Sequence, residues 1–215
     1  MSELSTQRER MALYAKSMFD RGLTHGSTGN LSARLSDGSL LVTPTGSSMG
    51  FLDPARISHL SSTGELLSGD RPTKEMPLHE AFYDTRHGTG AVVHLHSCHS
   101  VALSLLPDID PENVLPPLTA YGIMLLGKVR LLPFFVPGDP AMGEAVRGLA
   151  GKRSAVLLAN HGPVVAGKDL EAAVNAMEEL EATAKLALLL RGTQATALEP
   201  AQINRIVERF DVDWN

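Results

Sequence analysis

Residues 91–96 read AVVHLH, and no other stretch restricts the fold of this chain as tightly. A short apolar run rich in β-branched residues reads as a buried strand. Side chains alternate faces along a strand, so His94 and His96 project to the same side. Val92, Val93 and Leu95 wall them with apolar atoms. Two imidazoles facing inward from such a strand are costly without partners. One partner that suits both is a metal ion about 2.0–2.1 Å from each ring nitrogen. One buried, hydrogen-bonded histidine beside one surface histidine is the alternative reading of the pair.

A second apolar region, AVLLANHGPVVAG, places His161 and Gly162 between two runs, 155–160 and 163–166. These read as two strands joined at a tight corner, and a strand end is a common place to aim a side chain into a cleft. Three histidines with a carboxylate would suit zinc or another first-row divalent ion. Glu75, in PTKEM just ahead of a helix, is one candidate carboxylate. By itself it is equally accounted for as a first-turn residue favoured by the helix dipole. His161 by itself is likewise accounted for as a turn histidine. His25, His59, His79, His87 and His99 show no comparable arrangement, although His25 and His79 are candidates for an outer layer of support.

Two turns rich in glycine and hydroxyl groups, HGSTGN (25–30) and TPTG (43–46), suit an anion. Such turns expose backbone N–H groups and hydroxyl donors to a phosphate. Neither has the spacing of a P-loop or a dinucleotide fingerprint, and each alone is explained as a turn. Thr73 and Lys74 would add a hydroxyl and a cation if the segments converge.

Around these motifs the pattern predicts helices over 4–19 (closed by Gly22), 76–87, 101–106, 140–150, 169–191 (with Asp169 as N-cap) and 200–210. Strands are expected at 40–43 and 91–96, with an extended segment at 129–136. Strands and helices mix without strict βαβ alternation, which favours an α/β fold with one sheet covered by helices. The chain is read as one domain over residues 1–215. The formal net charge of −5 gives no basic footprint for nucleic acid. Cys98, the single cysteine, excludes an intrachain disulfide and fits a reducing compartment. No apolar run approaches the ~18 residues needed to span a bilayer, and MSELSTQRER lacks an apolar signal core. No membrane association and a cytoplasmic location are therefore expected.

Taken in order, STGN, TPTG, a hydroxyl-basic-Glu segment, HLH and NHG resemble the class II aldolase and adducin family, in its fuculose-phosphate aldolase type. The likeness runs from about Gly22 to Gly192. It implies an α/β/α fold around a mostly antiparallel sheet, assembled as a homotetramer with active sites between subunits. It implies zinc held by His94, His96 and His161, with Glu75 as the acid-base group that also touches the metal. The implied phosphate cradle is Ser27, Gly29, Asn30, Thr45, Gly46 and Thr73. Tyr121 falls where family aldolases carry a tyrosine that protonates or orients the reacting group.

The segment Thr73-Lys74-Glu75 departs from the Ser-Ser-Glu of the aldolases. With GDRPTKEMPLHEAFYDTR, AVVHLHSCHSVALSLLP, LPPLTAYGIM and LPFFVPGDPAMG, it is similar to 3-oxo-tetronate 4-phosphate decarboxylases, a decarboxylating branch of the family. The implied reaction takes a small phosphorylated keto acid to dihydroxyacetone phosphate and CO2 through a metal-stabilised enediolate. Lys74 would then meet the phosphate or orient the carboxylate. A zinc sugar-phosphate aldolase or epimerase shares the metal and the cradle and is the alternative. A non-catalytic protein like the adducin head is disfavoured because all three histidines and the glutamate are kept. A metal-dependent hydrolase is disfavoured because no separate water-activating pair is present.

Overall fold

In the computed structural model, which describes residues 2–214, the two histidine-bearing apolar runs lie side by side in the middle of an eight-stranded sheet. Its strands are β1 (Asn30–Arg34), β2 (Leu40–Val42), β3 (Ser58–Leu60), β4 (Leu66–Ser68), β5 (Ala91–His94), β6 (Arg130–Leu132), β7 (Ala155–Leu158) and β8 (Gly162–Gly167). They are ordered β4-β3-β2-β1-β5-β8-β7-β6. Every pairing is antiparallel except the parallel edge pair β6–β7, so the sheet is mostly antiparallel, as expected.

The helices are α1 (Glu3–Asp20), α2 (Met76–Thr85), α3 (Cys98–Ser104), α4 (Ala120–Leu126), α5 (Ala141–Arg147), α6 (Leu170–Leu189) and α7 (Pro200–Phe210). Met11, Met18, Leu103, Met177 and Leu180 from α1, α3 and α6 build one core with Val93, Leu157 and Val165. Leu78, Phe82, Met142 and Val146 from α2 and α5 build the other with Val92, Val156 and Val164. The neighbours Val92 and Val93 thus fall on opposite faces, and both faces are covered. That explains why the central strands read as unbroken apolar runs rather than alternating ones.

Several boundaries differ from the sequence pattern. β5 stops at His94, two residues before the expected end, because α3 begins at Cys98 rather than near Val101. The extended segment shortens to β6, since Pro133 has no N–H to continue the ladder. β1, β3, β4 and α4 carry no strong pattern of their own and were not expected. Asp169 does cap α6, its carboxylate accepting from the Ala172 N–H at 2.8 Å, and α7 matches its expected bounds. Among the described residues no helix is long and apolar enough to cross a membrane.

Candidate metal centre

The pairing of β5 with β8 brings the three histidines together. The hairpin corner between β7 and β8 turns through Asn160, at φ +58°, into Gly162. A Cβ on Gly162 would lie 2.1 Å from the Leu95 carbonyl oxygen, so only glycine lets the corner pass this close to the Leu95–His96 segment. His161 is thereby seated against the end of β5. Ring centroids are 5.0 Å apart for His94–His96, 4.9 Å for His94–His161 and 4.6 Å for His96–His161. One nitrogen from each ring lies within 4.8 Å of the others. His96 belongs to this set although it falls past the strand end.

The tautomer of His94 follows from its partner. Its Nδ1 stands 2.9 Å from the Pro163 carbonyl, which can only accept, so Nδ1 carries the hydrogen and Nε2 presents a lone pair. Burial and the two neighbouring rings push the His94 pKa well below its ordinary value. Burial, then His161, brings His96 down to about 4, with His25 contributing from nearby. Burial also lowers His161. All three imidazoles are therefore neutral near pH 7, the state in which they bind metals.

Glu75 closes the group from the other side. It stands at the N-cap of α2, where Pro77 sits in the first turn. Its Oε1 is 3.5 Å from His161 Nε2 and its Oε2 is 3.6 Å from His94 Nε2. Asn30 Nδ2 donates to Oε2 at 2.7 Å. Oε1 is buried and has no hydrogen-bond partner among the described residues. An orphaned carboxylate oxygen beside neutral ring nitrogens is costly unless a cation satisfies it. Three imidazole nitrogens and one carboxylate oxygen form a donor set that fits zinc or a similar divalent ion.

The candidate anion segments converge on the same end of the sheet. Thr45 N–H donates to Arg71 O at 3.0 Å, Thr73 N–H donates to Thr43 O at 3.2 Å, and Pro44 bridges Pro72. Asn30 is paired with His94 across β1–β5. The approach before it is so close that a Cβ on Gly29, at φ +79°, would lie 2.8 Å from the His94 carbonyl oxygen. Ser27, Thr45, Gly46 and Lys74 face solvent, whereas Asn30 and Thr73 are buried. The Lys74 stem lies against Gly138, and its ammonium makes no ion pair among the described residues. Tyr121 lies exposed on α4 and makes no hydrogen bond or ring contact with the histidines of its own chain.

His79, a candidate for outer support in the sequence, does support this group, together with Ser32, Tyr83 and Glu181, which the sequence reading did not single out. His79 contacts Asn30 Oδ1 through Nε2 and Ser32 Oγ through Nδ1 at 2.8 Å, and Ser32 Oγ meets Tyr83 OH at 2.8 Å. The signal was present as two periods: Asn30, Ser32 and Arg34 two apart on a strand, and Glu75, His79 and Tyr83 four apart on a helix. Glu181 accepts from the backbone N–H groups of His99 and Ser100 at 2.9 Å each, pinning the start of α3 just after His96. Burial raises its pKa, but the donors from Ser100 and His99 prevail and leave it lowered.

Residues 9–188 match the family described as Class II Aldolase and Adducin N-terminal domain. A curated protein of Escherichia coli K12 named 3-oxo-tetronate 4-phosphate decarboxylase is 51% identical over 183 residues, covering 85% of this chain and 86% of that protein. L-fuculose phosphate aldolase of Methanocaldococcus jannaschii is 36% identical, with 81% and 91% covered. The crystal structure of an Escherichia coli protein described as a candidate aldolase, epimerase or decarboxylase superposes with a TM-score of 0.93 at 46% identity, covering 95% of this chain and 99% of that one. The chain, with its histidine cluster on a mostly antiparallel sheet, is thus a carbon–carbon lyase and belongs to the class II aldolase and adducin family.

Proposed function

We propose that this protein, acting as one class II aldolase-like domain over residues 1–215, decarboxylates 3-oxo-tetronate 4-phosphate to dihydroxyacetone phosphate and CO2. The observation that carries the reading is the buried, unpaired Oε1 of Glu75 beside three neutral imidazoles. The choice of substrate is supported by relatives at 42–51% identity that bear the decarboxylase name. His94, His96, His161 and Glu75 would hold the ion, with zinc the best match to the nitrogen-rich donor set. When bound there, the ion supplies a Lewis acid for the oxygen on which charge develops.

In the reaction the bond between the carboxyl carbon and C2 breaks. Its electron pair moves into the adjoining C2–C3 bond and the keto oxygen, giving an enediolate as CO2 departs. Glu75, which would leave the ion or sit beside it, takes the proton of the C2 hydroxyl on Oε1 and returns a proton to C2. Water reprotonates the hydroxyl oxygen, which accounts for the one proton the overall reaction consumes. Asn30 holds the carboxylate in place through Oε2. Ser27, Gly29, Thr45, Gly46 and Thr73 present N–H and hydroxyl donors to the phosphate. Lys74 pairs with the phosphate or turns the carboxylate out of the enediolate plane. A cation tightly paired to the leaving carboxylate would favour the ground state over the transition state. Tyr121, exposed and apart from its own histidines, would act from a neighbouring subunit of a homotetramer in the cytoplasm.

A paired assay on zinc-loaded protein tests the reading, with 3-oxo-tetronate 4-phosphate in one tube and fuculose 1-phosphate in the other. Chelator-sensitive release of CO2 and dihydroxyacetone phosphate in the first, with little cleavage in the second, is the expected result. The reverse pattern would make the protein an aldolase with the same site. Silence in both tubes would rule out both substrates.

A further inference from the structure

We infer that Tyr83, Ser32, His79 and Asn30 form a one-way hydrogen-bond chain that holds Glu75 Oε2 as an acceptor and leaves Oε1 as the only oxygen that exchanges protons. This rests on the acid-base role proposed for Glu75, and it makes Asn30, His79, Ser32 and Tyr83 positioning residues.

The chain arises from a match of pitch. Two residues of a strand advance about 6.6 Å and four residues of a helix about 6.0 Å. Asn30, Ser32 and Arg34 on β1 therefore keep step with Glu75, His79 and Tyr83 along α2. Asn30 reaches Glu75 and His79, Ser32 reaches His79 and Tyr83, and the Arg34 guanidinium lies 4.6 Å from the Tyr83 ring centroid. Ser32 and His79 are fully buried, so water cannot substitute for a missing partner.

Donor and acceptor roles then follow one from another. An ionised carboxylate only accepts, so Asn30 turns its NH2 group toward Glu75 Oε2. That leaves Asn30 Oδ1 facing His79, whose Nε2 must carry the hydrogen. Burial lowers the His79 pKa to about 3, so the ring is neutral and its Nδ1 is an acceptor. Ser32 therefore donates its hydroxyl hydrogen to Nδ1 and accepts from Tyr83 OH. Placing a proton on Glu75 Oε2 would set two donors against each other. Relieving that clash would require the Asn30 amide to flip, His79 to change tautomer and both hydroxyls to rotate. A proton on Oε1 disturbs none of these, and Oε1 is the oxygen with no partner in the chain.

The first test needs neither substrate nor metal. Nitrogen-15 histidine NMR of the zinc-free protein, with His79→Gln used to identify the signal, should show His79 as the neutral Nε2–H tautomer. An Nδ1–H ring, or an equal mixture of tautomers, would overturn the chain. The second test uses Ser32→Ala, which removes the donor to Nδ1. Asn30 Oδ1 still holds the Nε2 hydrogen in that variant, so the His79 tautomer should persist while its Nδ1 resonance shifts. On whichever of the two substrates is turned over, kcat should fall about 10–100-fold with KM and zinc content little changed. Its acid limb in the pH–rate profile should also move, which loss of packing alone would not produce. Unchanged kcat and pH profile in Ser32→Ala would remove the link to proton transfer. Failure of both substrates would touch the proposed reaction, while the tautomer of His79 would still decide the chain.

Discussion

At the scale of single residues, the site is organised by the difference between the two oxygens of Glu75. One is held by Asn30 and the other has no partner. Glu75→Gln keeps the shape and one oxygen but cannot take up a proton, so the fold and the zinc content should survive. Turnover should drop by about 10²–10⁴-fold, the usual contribution of a general acid-base group. Steady-state kinetics with metal analysis on the same preparation would check this, and activity within a few-fold of the parent would take Glu75 out of the role. Lys74 also has an open side chain, being exposed and without an ion pair among the described residues. It is also the position at which the Thr-Lys-Glu segment leaves the Ser-Ser-Glu pattern.

At the scale of elements, the tightest constraint is the corner between β7 and β8. Gly162→Ala would force its Cβ against the Leu95 carbonyl and push β8 away from the segment that carries His96. Overpacking of this kind costs about 1–3 kcal/mol, and here it also spreads the three histidines. Thermal unfolding should show the loss, and zinc titration should show weaker binding. A variant that melts and binds like the parent would mean that the corner relaxes without moving His161. The elements also differ in how legible they were. β5, β7, β8, α1, α6 and α7 carry long periods or apolar runs, and the expected bounds lie within a few residues of those observed. β1 was not expected because its five residues include only two apolar positions, Leu31 and Ala33, too few to establish an alternation. α4 is only seven residues long and includes Gly122, so it has too few turns to establish a helical period.

At the scale of the whole molecule, burial of the histidines couples the site to stability. In the zinc-free protein His79 titrates at about 3 and His96 at about 4, with His94 and His161 also lowered. In the unfolded chain each returns to about 6.5. Below that pH the unfolded state binds protons that the folded state excludes, so stability falls as pH drops from about 6.5 toward 4. Above about 6.5 these groups contribute no pH dependence. Zinc at the proposed site would stabilise the folded state further, by about 4 kcal/mol when free zinc is 1,000 times its Kd. Melting temperatures with and without chelator across that pH range should show both effects. A zinc-free melting temperature independent of pH would contradict the burial of neutral histidines, and no response to chelator would contradict the metal site.

The sequence by itself determined the candidate ligands and the frame. His94 and His96 share a face because strand geometry has a period of two, and the continuous apolar runs require a sheet covered on both sides. The order of short motifs identified the family before any contact was known, because that order is far more specific than any one motif. Tertiary structure alone decided which residues meet. Asn30 faces His94 only through the β1–β5 register, and Glu75 reaches His161 across 86 residues of chain only because α2 packs over β5 and β8. The Asn30 side chain, expected in a phosphate cradle, has both ends of its amide engaged by Glu75 and His79. For the same reason the run from Tyr83 to Asn30 shows in one dimension only as two separate periods, with nothing to say that they meet. A hydrogen bond between a strand and a helix depends on the distance between two elements, and no local pattern in either one encodes that distance.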